Sequence, residues 1–355
     1  MRQAGRRLSQ APTLEAVAKA AGVHRSTAAR ALNAATRHLI SREVVARVQA
    51  EAQRLGYRRD VLAASLRTGR SRLVGVVLPD LANPVFAPIL GGIEAALAER
   101  GYAALLANAQ GEVRHQQAIV DQLIGRRVDG LILATARRQD PVLGHCLAAG
   151  VPTVLVNRAE DSARAPSVVS DDAGGMRLAV EHLTALGHVR IGHLAGPEDL
   201  STGIVRRQGF AMAMRQAGLD AAPVAVAAAF TREAGRAAMA ELLRATEVTA
   251  VVAANDLLAL GAYQELAAHG LVCPRDVSIV GHNDMPLVDM VAPPLTTVRI
   301  DHHTMGREAA RLVMARIEAE LEQPLVRTTT ARLVVRASTA APPPSRLVPL
   351  AGKRA

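Results

Sequence analysis

The chain has 355 residues, of which 50% are hydrophobic and 21% charged, with 42 Lys/Arg against 32 Asp/Glu. That is enough for two or three domains with real cores, and it excludes disorder of the whole chain. The two lone cysteines, Cys146 and Cys273, show no CxxC spacing, which excludes a disulfide framework or a cysteine zinc cluster.

The charge is uneven. Residues 1–72 hold fifteen Lys/Arg and four acids, a surplus of eleven, while the remaining residues carry a net of −1. A small basic head on a neutral body is the electrostatic footprint of a polyanion-binding protein. Arg2, Arg6 and Arg7 are followed by no apolar core, so no signal peptide is expected. No uncharged apolar run approaches the about 18 residues that a membrane span needs, so the expected location is cytoplasmic.

In chain order, a basic arm (1–11) precedes a helical stretch. Leu14, Val17 and Ala18 share one helical face; Thr27, Ala28 and Ala31 share another. A third helix is predicted from about Ser41 to Leu55, with Ser41 as N-cap and Gly56 as stop. These make a compact head over 12–58. The short run "DVLAASLRT" follows within a linker, 59–71, and is too short for a stable helix on its own.

After Arg72, apolar strand runs alternate with amphipathic helices, beginning "LVGVVLPD", and the rhythm restarts at "SVVSDD". Alternation of this kind predicts parallel βαβ units. The expected body, 72–339, is therefore two doubly wound parallel-sheet subdomains with a cleft at the strand carboxyl ends. The expected division puts 72–167 and 296–323 in one subdomain, and 168–295 and 324–339 in the other. The Pro-rich tail, 340–355, is expected to be loose.

The stretch "TLEAVAKAAGVHRSTAARALN" (13–33) carries the chemistry of the head. Two short helices broken at Gly22 suit a helix-turn-helix, whose second helix enters the DNA major groove. Arg25 and Arg30 can each donate two hydrogen bonds to guanine, and Ser26 and Thr27 can reach base or phosphate. Such a cluster on its own is more often a solvated face. The local charge surplus favours DNA, because phosphate binding needs it.

That stretch, followed by "LGYRRD", "AASLRTGRSRLVGVVLPDLANPVF", "DGLIL", "HLTALGHVRIGHLAGP", "RRQGF", "AANDLLALGA", "DVSIVGHNDMP" and "PPLTTVRI", resembles the LacI/GalR-type transcription regulators over about residues 12–339. The resemblance implies an all-α helix-turn-helix head on an α/β body similar to the periplasmic-binding-protein fold. It implies base reading by Arg25, Ser26 and Arg30, phosphate contacts by Thr13 and Asn33, and DNA contacts by Thr27 and Tyr57. It also implies a paired hinge helix whose Leu66 wedges into the minor groove, where unstacking is offset by wider contact. Two positions depart from the family pattern: His24, a poorer N-cap than the usual Ser, and Ala29 in place of a phosphate-touching serine.

For the body, the resemblance implies an effector cleft lined by Val85 and Phe86 as apolar walls, with Asn157, Thr202, Arg206, Asn255, Asp256 and Asn283 as polar groups. A turn or cap role is as open for each of the polar residues, for Asp256 above all. Ile204 and Asn283 replace an Arg and an Asp that often hold sugar hydroxyls, which leaves Arg206 as the available cation and points to a sugar acid or related metabolite as readily as to a sugar.

No GxGxxG, GxxxxGK[ST] or GxSxG motif opens a βαβ unit, and the histidines lack metal-ligand spacing, so neither cofactor nor catalysis is expected. The tail lacks leucine heptads that would form tetramers. The sequence thus reads as a ligand-responsive repressor that binds a pseudo-palindromic double-stranded operator as a homodimer. An architectural DNA-binding protein without effector, and a solute-binding protein, stand as alternatives.

Overall fold

A computed structural model describes residues 12–33, 36–57, 69–110, 112–219 and 222–343. The expected arm, Leu66 with most of the hinge segment, and the tail beyond 343 lie outside the described residues. The chain divides into two compact units, Met1–Ser71 and Arg72–Ala355.

Among the described residues, the first unit holds three helices, α1 (Leu14–Ala20), α2 (Arg25–Ala31) and α3 (Arg42–Arg54), with a 3-10 turn at Arg37–Leu39. Thr13 caps α1 by accepting the Ala16 N–H at 3.2 Å, and Ser41 caps α3 by accepting that of Val44 at 3.4 Å. Gly22 takes φ +63° at the break between α1 and α2, a backbone state that glycine enters without steric cost. Val17, Ala18, Ala28, Ala31, Val48 and Ala52 are buried together, flanked by the partly buried Leu14, Val44 and Tyr57. The small alanines let the two short helices pack closely on α3 and leave every long polar side chain of α2 outside.

The second unit contains two six-stranded sheets. The first comprises β1 (Leu73–Leu78), β2 (Ala103–Asn108), β3 (Gly130–Leu133), β4 (Thr153–Val156), β5 (Ser167–Ser170) and β11 (Val326–Thr329), in the order β11-β5-β4-β3-β1-β2, with all pairs parallel. The second comprises β6 (Ile191–Ala195), β7 (Val224–Val226), β8 (Ala250–Ala253), β9 (Ser278–Asn283), β10 (Thr296–Ile300) and β12 (Ala331–Val334), in the order β12-β10-β9-β8-β6-β7. Only the β10–β12 pair there is antiparallel. The central strands are buried along nearly their whole length, as their Val/Ile/Leu/Ala-rich composition requires when helices cover both faces.

Among the described residues, eight helices cover the sheets: α4 (Phe86–Glu99), α5 (Val113–Gly125), α6 (Pro141–Ala148), α7 (Asp172–Ala185), α8 (Ser201–Gln216), α9 (Arg232–Ala245), α10 (Asp256–Ala268) and α11 (His302–Ile317). The chain passes between lobes three times, and here the structure corrects the expected subdomain boundaries. β5 and β11 belong to the first sheet, and β10, expected with the first lobe, pairs with β9 in the second. Each passage follows its strand: β5 leads through Asp171 to α7 on the second sheet, β10 through Asp301 to α11 on the first, and β11 through Thr330 to β12. Asp171 and Asp301 each cap the helix they lead into, accepting N–H groups of Gly174 and Thr304 at 3.0 Å. The tail is not loose from its expected start. Ala340 donates to Ser278 Oγ at 3.0 Å and accepts from His188 Nε2 at 2.8 Å.

Candidate functional site

In the head, Arg25, Ser26 and Arg30 are exposed on α2 and Thr13 is exposed at the start of α1, while Thr27 and Asn33 are half-buried. Tyr57 is half-buried against the head's core. The expectation that His24 caps α2 poorly meets a specific geometry. Its Nδ1 accepts the Ser26 N–H at 3.3 Å and lies 2.8 Å from Ser26 Oγ. An imidazole with a lone pair on Nδ1 therefore does the work of a capping hydroxyl, and it also holds the Ser26 side chain at the N-terminus of α2. Asn33 closes the other end, its carbonyl accepting from Thr36 and Arg37 at 3.0 and 2.8 Å.

In the body, Asn83, Val85, Phe86, Asn157, Thr202, Arg206, Phe230, Asn255 and Asn283 border one narrow crevice between the lobes, with room of about 20 Å³. Seven of the eight residues singled out from the sequence converge there. Asn157 and Asn283 sit just past or at strand ends with φ +66° and +113°, a region that Asn tolerates better than most residues. Asn255 caps α10 through its Oδ1, which accepts the Leu258 N–H at 2.9 Å. Asp256, the eighth, does not border the crevice. It is fully buried behind it, accepting the Thr297 hydroxyl at 2.5 Å and the Met285 N–H at 2.8 Å. Burial raises its carboxyl to about 7 in spite of those two donors, and it holds the chain that follows Asn283.

Arg206 is also not the available cation expected. It is 3% exposed, its Nε donates to Asp172 at 2.9 Å and its Nη1 to the Ala254 carbonyl at 2.7 Å. A guanidinium this deep must be compensated, and Asp172 compensates it. Asp172 in turn accepts the Ser170 hydroxyl at 2.7 Å. Around this pair stand imidazoles held neutral: burial and Arg206 push His282 well below its usual range and His302 to about 4. Ile204, whose apolar character counted against a simple sugar, is half-buried and does not border the crevice.

Most of the room lies one step outward. A second chamber of about 250 Å³ is lined by Gln116, Thr135, Arg137, Arg158, Asp199, Phe230 and six apolar neighbours. Phe230 borders both spaces. Its ring fits because position 196 is glycine: a Cβ there would lie 2.2 Å from the ring. The two lobes meet along the rim. Arg137 pairs with Asp199, the Arg138 N–H donates to the Asp199 carbonyl at 3.1 Å, and the Ala159 N–H donates to Ser201 Oγ at 3.0 Å. Sequence reasoning missed this outer chamber. Arg158 was within reach, directly after Asn157. Phe230 follows the three-residue β7 in an alanine run that carries no strand or motif signal.

Among the described residues, no helix is long and apolar enough to cross a membrane and no group of three His, Cys, Asp or Glu could hold a metal ion. Residues 180–339 match the periplasmic binding protein-like domain. The chain is 37% identical over 337 residues to the HTH-type transcriptional regulator CelR of Thermobifida fusca, covering 92% of this chain and 98% of the relative. The structure is similar to that of a CelR–cellobiose complex, with a TM-score of 0.72 and 35% identity, covering 92% of this chain and 99% of the other. It is also similar to the lac repressor dimer bound to operator and an anti-inducer, with a TM-score of 0.82 and 26% identity over 93% and 99% of the two chains. A basic three-helix head, a two-lobed parallel-sheet body with polar strand ends meeting in its crevice, and relatives matched along nearly their whole length together place this chain in the LacI family of helix-turn-helix transcription regulators, DNA-binding proteins that respond to a ligand.

Proposed function

We propose that this regulator is a dimeric repressor that reads a pseudo-palindromic operator and senses a sugar, sugar acid or related metabolite in the cleft between its lobes. In this reading Arg25, Ser26, Thr27 and Arg30 meet base edges and phosphates, with Thr13, Asn33 and Tyr57 on the backbone. Leu66 is the minor-groove wedge that the family resemblance implies. The effector packs on Val85 and Phe86 and is held by Asn157, Thr202, Arg206, Asn255 and Asn283, with Asp256 supporting the site from behind. Ligand binding biases the rotation of one lobe on the other, and so the DNA-competent state.

The observation that carries the proposal is the meeting of these side chains, from separate strand ends and helix starts, in one crevice of a chain whose excess positive charge lies in its head. The CelR structure holds cellobiose and the lac repressor structure is a dimer on its operator, which agrees with both halves of the reading. A mobility-shift titration on the DNA upstream of its own gene tests it at physiological salt. The expected result is binding at least about a thousandfold tighter than to random duplex. Arg30→Ala should cost about 1–3 kcal/mol on the specific site and much less on random duplex. Equal affinity for both DNAs would reject the proposal.

A further inference from the structure

The cleft contains three guanidinium groups, from Arg137, Arg158 and Arg206. Two are answered: Arg137 pairs with Asp199 and Arg206 with Asp172. Arg158 is different. Its Nε is fully buried and has no hydrogen-bond partner, while the residue itself lines the roomier outer chamber. A buried charged donor without an acceptor is costly, and structures rarely retain one unless something arrives to use it. The two carboxylates leave the three guanidiniums with one positive charge in excess, and that charge faces the larger space. The inner crevice has room for about one water, whereas the outer chamber is more than ten times larger. Phe230 stands between them and offers an apolar wall.

We infer that the outer chamber is an anion-accepting subsite, and that the effector is a saccharide bearing a carboxylate or phosphate which takes the Nε–H of Arg158. The inference rests on the proposed sensor reading and deepens it. One end of the effector meets the polar groups of the inner crevice, and the rest extends past Phe230 into the chamber of Gln116 and Thr135, with its anionic group toward Arg158. Arg137 stays with Asp199 at the rim, so the charge that selects the ligand comes from Arg158. A neutral sugar enters the same cleft but leaves that donor unanswered.

Matched pairs of sugars test this with the full chain. Calorimetric titrations at equal ionic strength compare cellobiose with cellobionate, and glucose with glucose 6-phosphate. The first pair reads a carboxylate and the second a phosphate. The acidic member of at least one pair should bind about tenfold or more tightly than its neutral counterpart, as a charge-assisted hydrogen bond implies. In Arg158→Gln that ratio should fall to about one, whereas Arg158→Lys, which keeps the charge but not the Nε donor, should retain part of it. Melting curves of both variants establish that they fold. Equal affinities within both pairs, or a preference that survives in Arg158→Gln, would overturn the subsite and leave the sensor reading standing. A wild-type chain that bound no member of either pair would overturn both.

Discussion

His193, His282 and His302 are deeply buried in the body, and burial holds each of them neutral. His193 shows why the neutral form is needed: its Nδ1 lies 2.8 Å from the Val252 carbonyl, its Nε2 has no partner, and its ring stacks on Phe210 at 4.6 Å. A second proton would have nowhere to go. His193 and His302 fall to about 4 from the usual 6.5, so the unfolded chain takes up protons over that interval while the folded chain does not. The stability these groups confer is complete above about 6.5 and is lost as the pH falls toward 4, on the order of 3 kcal/mol for each histidine. His182 and His188 are lowered too, again by burial first, and act in the same direction. Asp256 acts oppositely: raised to about 7, it favours the folded state most below the ordinary carboxyl range and loses that contribution as the pH rises to 7. The histidines outnumber it, so the melting temperature should be several degrees lower at pH 5 than at pH 7.5, and His302→Gln should flatten the slope. An unchanged melting temperature over that interval would mean that these imidazoles do not stay neutral in the fold.

Helices α4 and α11 lie against each other through glycine. A Cβ at Gly92 would come within 2.1 Å of the His303 carbonyl oxygen, and one at Gly306 within 2.0 Å of the Ile89 carbonyl oxygen. The obstacle in both cases is backbone, which cannot rotate aside as a side chain can. Gly306→Ala should therefore force the helices apart at a cost of about 1–3 kcal/mol, read as a fall in denaturation midpoint. Gly91, beside Gly92 on α4, has nothing within 4 Å, so Gly91→Ala should raise stability by about 0.5–1 kcal/mol through helix propensity alone. Equal effects at the two positions would show that close approach is not what glycine provides here. The same pair of helices marks how far the sequence could be read. The alternation of apolar strands and amphipathic helices was legible, as were Asn157, Asn255 and Asn283, because each is a polar residue closing or directly following an apolar run. Which sheet a strand joins was not. β10 looks like any other "TTVRI" run, and only its pairing with β9, together with α11 lying on α4, shows that the chain changes lobe after Ile300 instead of before Thr296. Arg206 was read as open because its spacing places it in the cleft, while its partner Asp172 lies 34 positions away. Long-range partners of this kind leave no local signal.

At the scale of the whole molecule, the body is two sheet-centred lobes joined by three short passages. Its three passages, at Asp171, Asp301 and Thr330, lie side by side; the Asp171 N–H donates to the Thr329 carbonyl at 2.9 Å, so two of the three are tied together. Short parallel connections of this sort act as a hinge, because few residues must change dihedral angle for the lobes to swing. Opposite them, the rim contacts of Asp199 and Ser201 join the lobes across the mouth of the cleft. The Arg137 and Asp199 side chains are 36% and 52% exposed, so solvent screens their ion pair and its contribution is about 0–1 kcal/mol. That is small beside the energy of folding, but it is comparable with the coupling energies by which ligands shift two-state equilibria. Asp199→Asn should thus leave the melting temperature within about 2 °C of the parent while it shifts the lobes toward an open arrangement by up to about fivefold. Small-angle scattering of the ligand-free chain should show a larger radius of gyration, and half-maximal release from or attachment to operator should move to a different effector concentration. If scattering and effector response were both unchanged in Asp199→Asn, the rim would be ordinary surface, and closure would have to be governed from within the crevice itself, by the groups around Arg206 and Asn283.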